Sequence, residues 1–138
     1  MKKDSADALL TKKGANFFGF EIVSAAGKKK SQPLVIRGNG DLALTKEAVI
    51  FKRWLPKKTF EIPLEKISNL EIKRAHNLKT KLLPLLRIHY RQDGEVKIFG
   101  VCVGFLDETN KWRDEITKAR EVSVPAKQRF SSNMRTNF

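Results

Sequence analysis

The chain has 138 residues, which is enough for one domain with a single hydrophobic core. A hydrophobic fraction of 41% argues against disorder along the whole chain. The 28 Lys and Arg outnumber the 15 Asp and Glu, so the formal net charge is +13 and the chain attracts polyanions: nucleic acid, anionic lipid headgroups or an acidic protein.

The chain begins with a polar, basic segment. We predict that residues 1–16 form a flexible arm, or a short helix over residues 5–12. Lys12, Lys13 and Glu21 interrupt every apolar window near this end, so neither an export signal nor a membrane span is expected. These features favour a cytoplasmic protein whose contact with a membrane, if any, is peripheral.

Two segments compete for the place of the first strand of the domain. Residues 16–25 have the alternation of a strand, and residues 27–33 have the composition of a loop. Residues 34–36 begin another strand, which is followed by a bend or bulge at residues 38–40. Depending on which strand is first, the lysines of the loop lie inside or outside the folded domain.

Residues 40–67 contain the clearest strand pattern in the chain. Apolar side chains occupy alternate positions in two short runs, which are Leu42 and Leu44, then Val49 and Phe51. The four residues between the runs are few enough to close a hairpin. A third strand follows and ends at residues 62–64, and the basic segment 52–58 connects it to the second strand.

Further strands follow in the second half of the chain. Residues 70–72 continue the alternation, and residues 73–81 are predicted to form a second cationic loop. Residues 86–90 and 96–103 are predicted strands joined by a tight turn at residues 92–94, where glycine tolerates positive φ. The spacing therefore predicts about seven strands before the first convincing helix.

One amphipathic helix is predicted over residues 107–121. Trp112, Ile116 and Ala119 recur at helical spacing and form a narrow apolar stripe, which must pack against the sheet. The segment that follows, residues 123–138, is polar and basic and is predicted to be a disordered tail.

Several short motifs are distributed along the predicted strands and helix. They are Gly40-x-Leu42-x-Leu44-Thr45, Val49-Ile50-Phe51, Ile62-Pro63-Leu64-x-x-Ile67 and Trp112-x-x-x-Ile116. With the order of elements, they resemble the pleckstrin-homology-like (PH-like) superfamily, and within it the GRAM and bacterial PH-like domains. The resemblance covers about residues 34–121. It implies a mainly β fold, a PH-like barrel of about seven antiparallel strands in two roughly orthogonal sheets, capped by one C-terminal α-helix, with the domain spanning residues 17–122.

The sequence contains no pattern of catalytic or metal-binding residues. His76 and His89 have no carboxylate or cysteine at ligand spacing. The single cysteine, Cys102, excludes an intramolecular disulfide, and it stands in an apolar run where burial is expected. No phosphate-binding glycine loop occurs. We therefore expect a protein that is not an enzyme and that needs no cofactor or metal.

Cationic residues in three segments form the candidate binding site for an anionic lipid or an acidic partner. The candidate residues are Lys28, Lys29, Lys30, Arg37, Lys52, Arg53, Trp54, Lys57, Lys58, Lys73 and Arg74. In PH domains, which the chain resembles, the first two of these segments flank the open end of the barrel that receives phosphoinositide headgroups. The family pattern has a Lys or Arg two positions before a final arginine. Arg37 can be that arginine, but Val35 stands where the first cation is expected.

Trp54 and Leu55 lie among four of these cations. An indole and a leucine at the tip of a basic loop suit the interface of a bilayer, where each cation near anionic lipid contributes roughly 1 kcal/mol. The same group can stack on an unpaired base. Alternatively, Trp54 ends a strand, faces inward and packs on Phe60.

The composition and the resemblance together favour a binding module without catalysis. We expect it to dock on anionic membrane surfaces or on an acidic protein through its basic loops. One alternative is a protein-interaction or assembly domain that uses a strand edge or the groove beside the helix. A further alternative is non-specific binding of nucleic acid, for which no standard reading motif is present.

Overall fold

In its described residues, the polypeptide is built mainly from β-strands, with one helix after the last strand. The computed structural model describes residues 8–23, 29–31, 38–76 and 79–123. A 3-10 turn at Leu64–Lys66 follows the fifth strand. The other elements are β1 Leu10–Val23, β2 Lys29–Ser31, β3 Gly38–Leu44, β4 Ala48–Arg53, β5 Lys58–Pro63, β6 Ile67–His76, β7 Lys79–Gln92, β8 Glu95–Cys102 and α1 Leu106–Ser123.

Seven of the strands form one continuous antiparallel sheet. Its order is β5-β4-β3-β1-β8-β7-β6, and the short β2 pairs with the C-terminal end of β1. Within the described residues, the two outer strands β5 and β6 do not pair with each other. The mainly β class, the seven-stranded antiparallel arrangement and the helix that follows it confirm the coarse fold prediction.

The core lies between the inner face of the sheet and α1. Phe17 is fully buried at its centre. Its ring packs at centroid distances of 5.0–5.4 Å against those of Phe20, Phe51, Phe60 and Phe99. Such aromatic pairs add about 0.5–1.5 kcal/mol each to the gain from burial. The rings therefore join β1, β4, β5 and β8 into one core.

The helix α1 covers another side of this core. Its stripe of Trp112, Ile116 and Ala119 is buried, as the helical spacing predicts. The helix packs against β6, β7 and the 3-10 turn. It extends slightly beyond the predicted range at both ends.

The first strand begins earlier than predicted. Because β1 starts at Leu10, residues 10–16 belong to the sheet and not to a flexible arm or a short helix. A bulge at Gly14, with φ of +85°, shifts the pairing with β3 between Lys13 and Ala15. This bulge interrupts the alternation of side chains, so the first part of the strand has no clear period in the sequence.

Two segments predicted to be basic loops contain strand residues. Lys29–Ser31 is β2, and residues 73–76 and 79–81 belong to β6 and β7. Their backbone groups pair with neighbouring strands whatever the side chains are, so a lysine-rich composition misleads here. The competing first strand at residues 34–36 and the predicted tail from residue 124 onward lie outside the described residues.

Hydrogen bonding and backbone conformation stabilise two of the turns between strands. The hydroxyl oxygen of Thr45 accepts hydrogen bonds at 3.1 Å from the backbone N–H groups of both Glu47 and Ala48. Between β7 and β8, Asp93 and Gly94 have φ of +53° and +79°. This left-handed pair is what a two-residue hairpin turn requires. Both turns fix the register of the strands that they join.

Gly40 allows a close approach of two strands and does not mark the predicted bend. It lies inside β3 and is paired with Ala15 and Arg53. A Cβ at this position would come within 2.7 Å of the Phe51 ring and 2.8 Å of the Arg53 Cα, and would overlap the carbonyl oxygen of Lys52. Only glycine lets β3 lie this close to β4, and the bulge is in the neighbouring β1.

Candidate functional site

The β4–β5 turn, residues 54–57, presents apolar surface among cations. Leu55 is 81% exposed and Trp54 is 44% exposed. The exposed cations beside them are Lys52, Lys57 and Lys58. The turn therefore combines accessible apolar surface with positive charge at one end of the β4–β5 hairpin.

Trp54 faces the outside of the sheet, so the interpretation in which it packs inward on Phe60 is wrong. Phe51 and Arg53 of β4 are buried, and alternate residues of a strand point to opposite faces. Trp54 follows Arg53 and continues on the outer side. Its indole N–H donates a hydrogen bond to Asp41 Oδ1 at 3.2 Å, which fixes the ring against β3.

Arg53 was predicted to contact a ligand. It points inward and is only 6% exposed, so this prediction is corrected. Its Nε–H donates a hydrogen bond to the carbonyl oxygen of Pro56 at 2.7 Å. The guanidinium carbon lies 5.5 Å from the centre of the Phe60 ring, in range of a cation–π interaction. Both contacts attach the turn to the core, so Arg53 supports the shape of the turn.

Two lysines lie over the aromatic rings at the same end of the core. Lys58 Nζ is 5.8 Å from the centre of the Phe60 ring, and Lys97 Nζ is 5.4 Å from the centre of the Phe20 ring. The two ring centres are 5.3 Å apart. The sequence pattern does not indicate Lys97 as a member of this site, because this lysine belongs to a mostly apolar strand. Only the pairing of β8 with β1 places it beside Phe20.

The third cationic segment is not brought to the turn. Lys73 lies in β6, and four strands separate β6 from β4 in the sheet order. Because the sheet is antiparallel, β6 runs in the opposite direction to β4. The connections that follow these two strands therefore lie at opposite ends of the strands. The Lys73 ammonium lies 3.9 Å from Glu71. Among the candidate residues, the side chains that lie outside the described part of the chain are those of Lys28, Lys29, Lys30, Arg37 and Arg74.

A charged network joins β1, β6 and β7 on the outer face of the sheet. The guanidinium of Arg87 is almost fully buried, and it donates hydrogen bonds to Glu71 Oε1 at 2.8 Å and to Glu21 Oε1 at 3.3 Å. His89 Nε2 lies 2.8 Å from the same oxygen of Glu71. Burial raises the pKa of Glu71, but hydrogen bonds from Arg87 and His89 outweigh this effect and lower the pKa to about 2. The network therefore stabilises the sheet.

The described ranges contain neither a metal site nor a membrane-spanning helix. No three His, Cys, Asp or Glu side chains there come together as they would around a metal ion. Cys102 is buried, as its apolar surroundings predict. Among the same residues, no helix combines the length and the hydrophobicity needed to cross a bilayer.

Comparisons with known proteins identify similar folds. No protein-family model matches the chain, and no curated protein matches it. A chain of "The 8S snRNP Assembly Intermediate" is similar, with a TM-score of 0.60, 10% sequence identity and 87% of each chain covered. The C-terminal domain of an unknown protein from Leishmania infantum gives a TM-score of 0.50 at 13% identity, covering 81% of this chain and 83% of that chain. At such identities the likeness concerns the fold alone.

Proposed function

We propose that the protein is a non-catalytic module with a PH-like barrel, and that it docks on anionic membrane surfaces through the β4–β5 turn. One observation carries this proposal. Leu55, 81% exposed, belongs to a turn that is flanked by the exposed cations Lys52, Lys57 and Lys58. The Leu55 side chain leaves water when it enters the boundary between lipid headgroups and acyl chains. This removal of apolar surface from water is favourable.

The order of the strands supports the PH-like barrel. The strand β1 stands in the middle of the sheet and joins β5-β4-β3 on one side to β8-β7-β6 on the other. The 3-10 turn at Leu64–Lys66 links the two outer strands along the chain. Curling such a sheet around Phe17, with α1 over the remaining opening, gives a barrel of two roughly orthogonal sheets.

The binding free energy expected from the turn and the lysines beside it corresponds to weak and reversible docking. Each of the three exposed lysines in and beside the turn contributes about 1 kcal/mol near an anionic surface. Burial of the Leu55 side chain contributes about 1.5–3 kcal/mol. Neither contribution is large enough alone to immobilise a protein, so binding requires negative headgroups and an apolar interior at the same place.

Co-sedimentation with lipid vesicles tests this proposal. We expect the protein to pellet with vesicles that contain phosphatidylserine and to stay in solution with neutral phosphatidylcholine vesicles. The double substitution Lys57→Glu and Lys58→Glu should lower the partition coefficient at least about tenfold, because two favourable cations are replaced by repelled anions.

A matched control separates the turn from the net charge. Lys46 and Lys66 are exposed lysines outside the turn. Lys46→Glu with Lys66→Glu makes the same change in net charge and should keep most of the binding. The proposal fails if both double variants lose binding equally, or if the protein binds neutral and anionic vesicles alike.

A protein partner is the second candidate function. Within the described residues, β5 and β6 each pair on one side only, and an extended peptide can add to such an edge as a further strand. The similar chain of the 8S snRNP assembly intermediate belongs, by its description, to an assembly. Binding to an acidic protein that survives Leu55→Ser while vesicle binding is lost would favour this second function.

A further inference from the structure

The indole of Trp54 lies along the outer surface of the sheet. Its N–H is donated to Asp41 on β3. Its ring also reaches β1, since a Cβ placed on Gly14 would lie 3.8 Å from Trp54 Cη2. A side chain that starts at the end of β4 and contacts both of the next two strands must extend across them and cannot project into solvent. One side of the ring therefore rests on the sheet, while 44% of the residue stays accessible.

Exposed lysines stand on the same face as this ring. Lys52, Asp41 and Lys13 are paired neighbours on β4, β3 and β1, so their side chains project from one face. Lys13 and Lys52 are both exposed. Strands lie about 4.8 Å apart, which places the Cα atoms of these lysines about 10 Å from each other. The acid between them, Asp41, accepts the hydrogen bond of the indole.

We propose that this outer face, formed by Lys13, Lys52 and Trp54, binds single-stranded nucleic acid. An unpaired base stacks on the accessible side of the indole, and the two lysines contact phosphates. Stacking tolerates any base because every base has a π face, which agrees with a sequence that lacks base-reading motifs. The net charge of +13 attracts the phosphate backbone over a longer range.

This face suits a base better than it suits a bilayer. The N–H of Trp54 is already donated to Asp41, and the ring lies against the sheet. A lipid interface would favour an indole that projects outward with a free N–H. The inference does not depend on the membrane proposal. Lys52 is common to both, but the membrane proposal relies on the exposed Leu55, whereas this inference relies on the indole of Trp54.

Fluorescence anisotropy at physiological salt tests the stacking site. The probes are a labelled oligouridylate, an oligothymidylate of the same length, and an abasic chain of that length, which carries phosphates without bases. We expect both base-bearing chains to bind about tenfold more tightly than the abasic chain. Trp54→Leu should remove this preference and leave the affinity for the abasic chain unchanged, whereas Leu55→Ser should leave all three affinities unchanged.

Intrinsic fluorescence of the unaltered protein gives a second measurement. The other tryptophan of the chain, Trp112, is 1% exposed, so quenching by a stacked base comes from Trp54. We expect oligouridylate to quench the emission and the abasic chain to leave it unchanged. No binding of oligouridylate, binding without quenching, or equal affinity for base-bearing and abasic chains would each overturn the proposal.

Discussion

Arg53 and Arg87 are buried cations that stabilise the fold. Arg53 donates to the carbonyl oxygen of Pro56, and Arg87 donates to Glu71 and Glu21. Removing a partner from a buried charge costs several kcal/mol, so these contacts are needed by the fold. By contrast, Lys52, Lys57 and Lys58 around the β4–β5 turn are exposed, so their charges can interact with a membrane or a nucleic acid.

Because of Glu71, we expect the free energy of unfolding to depend on pH under acidic conditions. Burial alone would raise its pKa, but the hydrogen bonds from Arg87 and His89 lower it from 4.5 to about 2 in the folded protein. A carboxylate with a depressed folded pKa stabilises the fold above its unfolded pKa of 4.5, and this contribution is lost as the pH falls toward 2.

Urea denaturation of Glu71→Gln measures this dependence. We expect the substitution to lower the free energy of unfolding by about 2 kcal/mol near pH 6 and by much less near pH 2, where about half of the wild-type carboxylate is already protonated in the folded protein. Glu65→Gln, at an exposed position of the 3-10 turn, should change it by less than about 0.5 kcal/mol at both values. An effect of Glu71→Gln that is the same at both pH values would rule out this role.

At the scale of elements, local patterns predict those parts that depend on local physics. The stripe of Trp112 and Ile116, the turn at Asp93 and Gly94, and the bonds of Thr45 all follow from residue spacing or from turn chemistry. By contrast, the bulge at Gly14 breaks the period of β1, and backbone pairing turns lysine-rich segments into β2 and the ends of β6 and β7.

The candidate site is less predictable than the fold because it depends on register. A slip of one residue in a strand exchanges its two faces. The sequence locates a basic turn with Trp54 and Leu55, but only the pairing of β4 with β3 shows that Trp54 is outside and Arg53 is inside. Lys97 reaches Phe20 through strands that are far apart in the chain, so no local signal could reveal it.

The contact between β3 and β4 gives a test of the strand packing. A Cβ on Gly40 would overlap the backbone of β4, so Gly40→Ala should lower the free energy of unfolding by about 3 kcal/mol. A Cβ on Gly38 would meet its nearest atom, the Leu55 carbonyl oxygen, at 3.4 Å, so Gly38→Ala should change it by less than about 1 kcal/mol. Equal effects of the two substitutions in thermal or urea unfolding would show that the strands are not packed in this way.

At the scale of the whole molecule, charge distinguishes the β4–β5 turn from another exposed apolar pair of the described residues. Phe105 and Leu106, between β8 and α1, are 75% and 54% exposed. Asp107 and Glu108 follow them directly, and their charges are repelled by an anionic surface. In the antiparallel sheet, β8 runs in the opposite direction to β4, so Phe105 and Leu106 lie at the other end of the strands from the β4–β5 turn. We therefore expect the turn to face the membrane and the start of α1 to face away.

A dye that reports its surroundings measures this orientation most directly. A thiol-reactive nitrobenzoxadiazole group is attached to Leu55→Cys or to Phe105→Cys, each in a Cys102→Ala background. On phosphatidylserine-containing vesicles, the dye at position 55 should gain intensity and shift its emission to the blue, because it enters an apolar layer. The dye at position 105 should not change. An unchanged dye at position 55, or equal changes at both positions, would contradict docking through the β4–β5 turn.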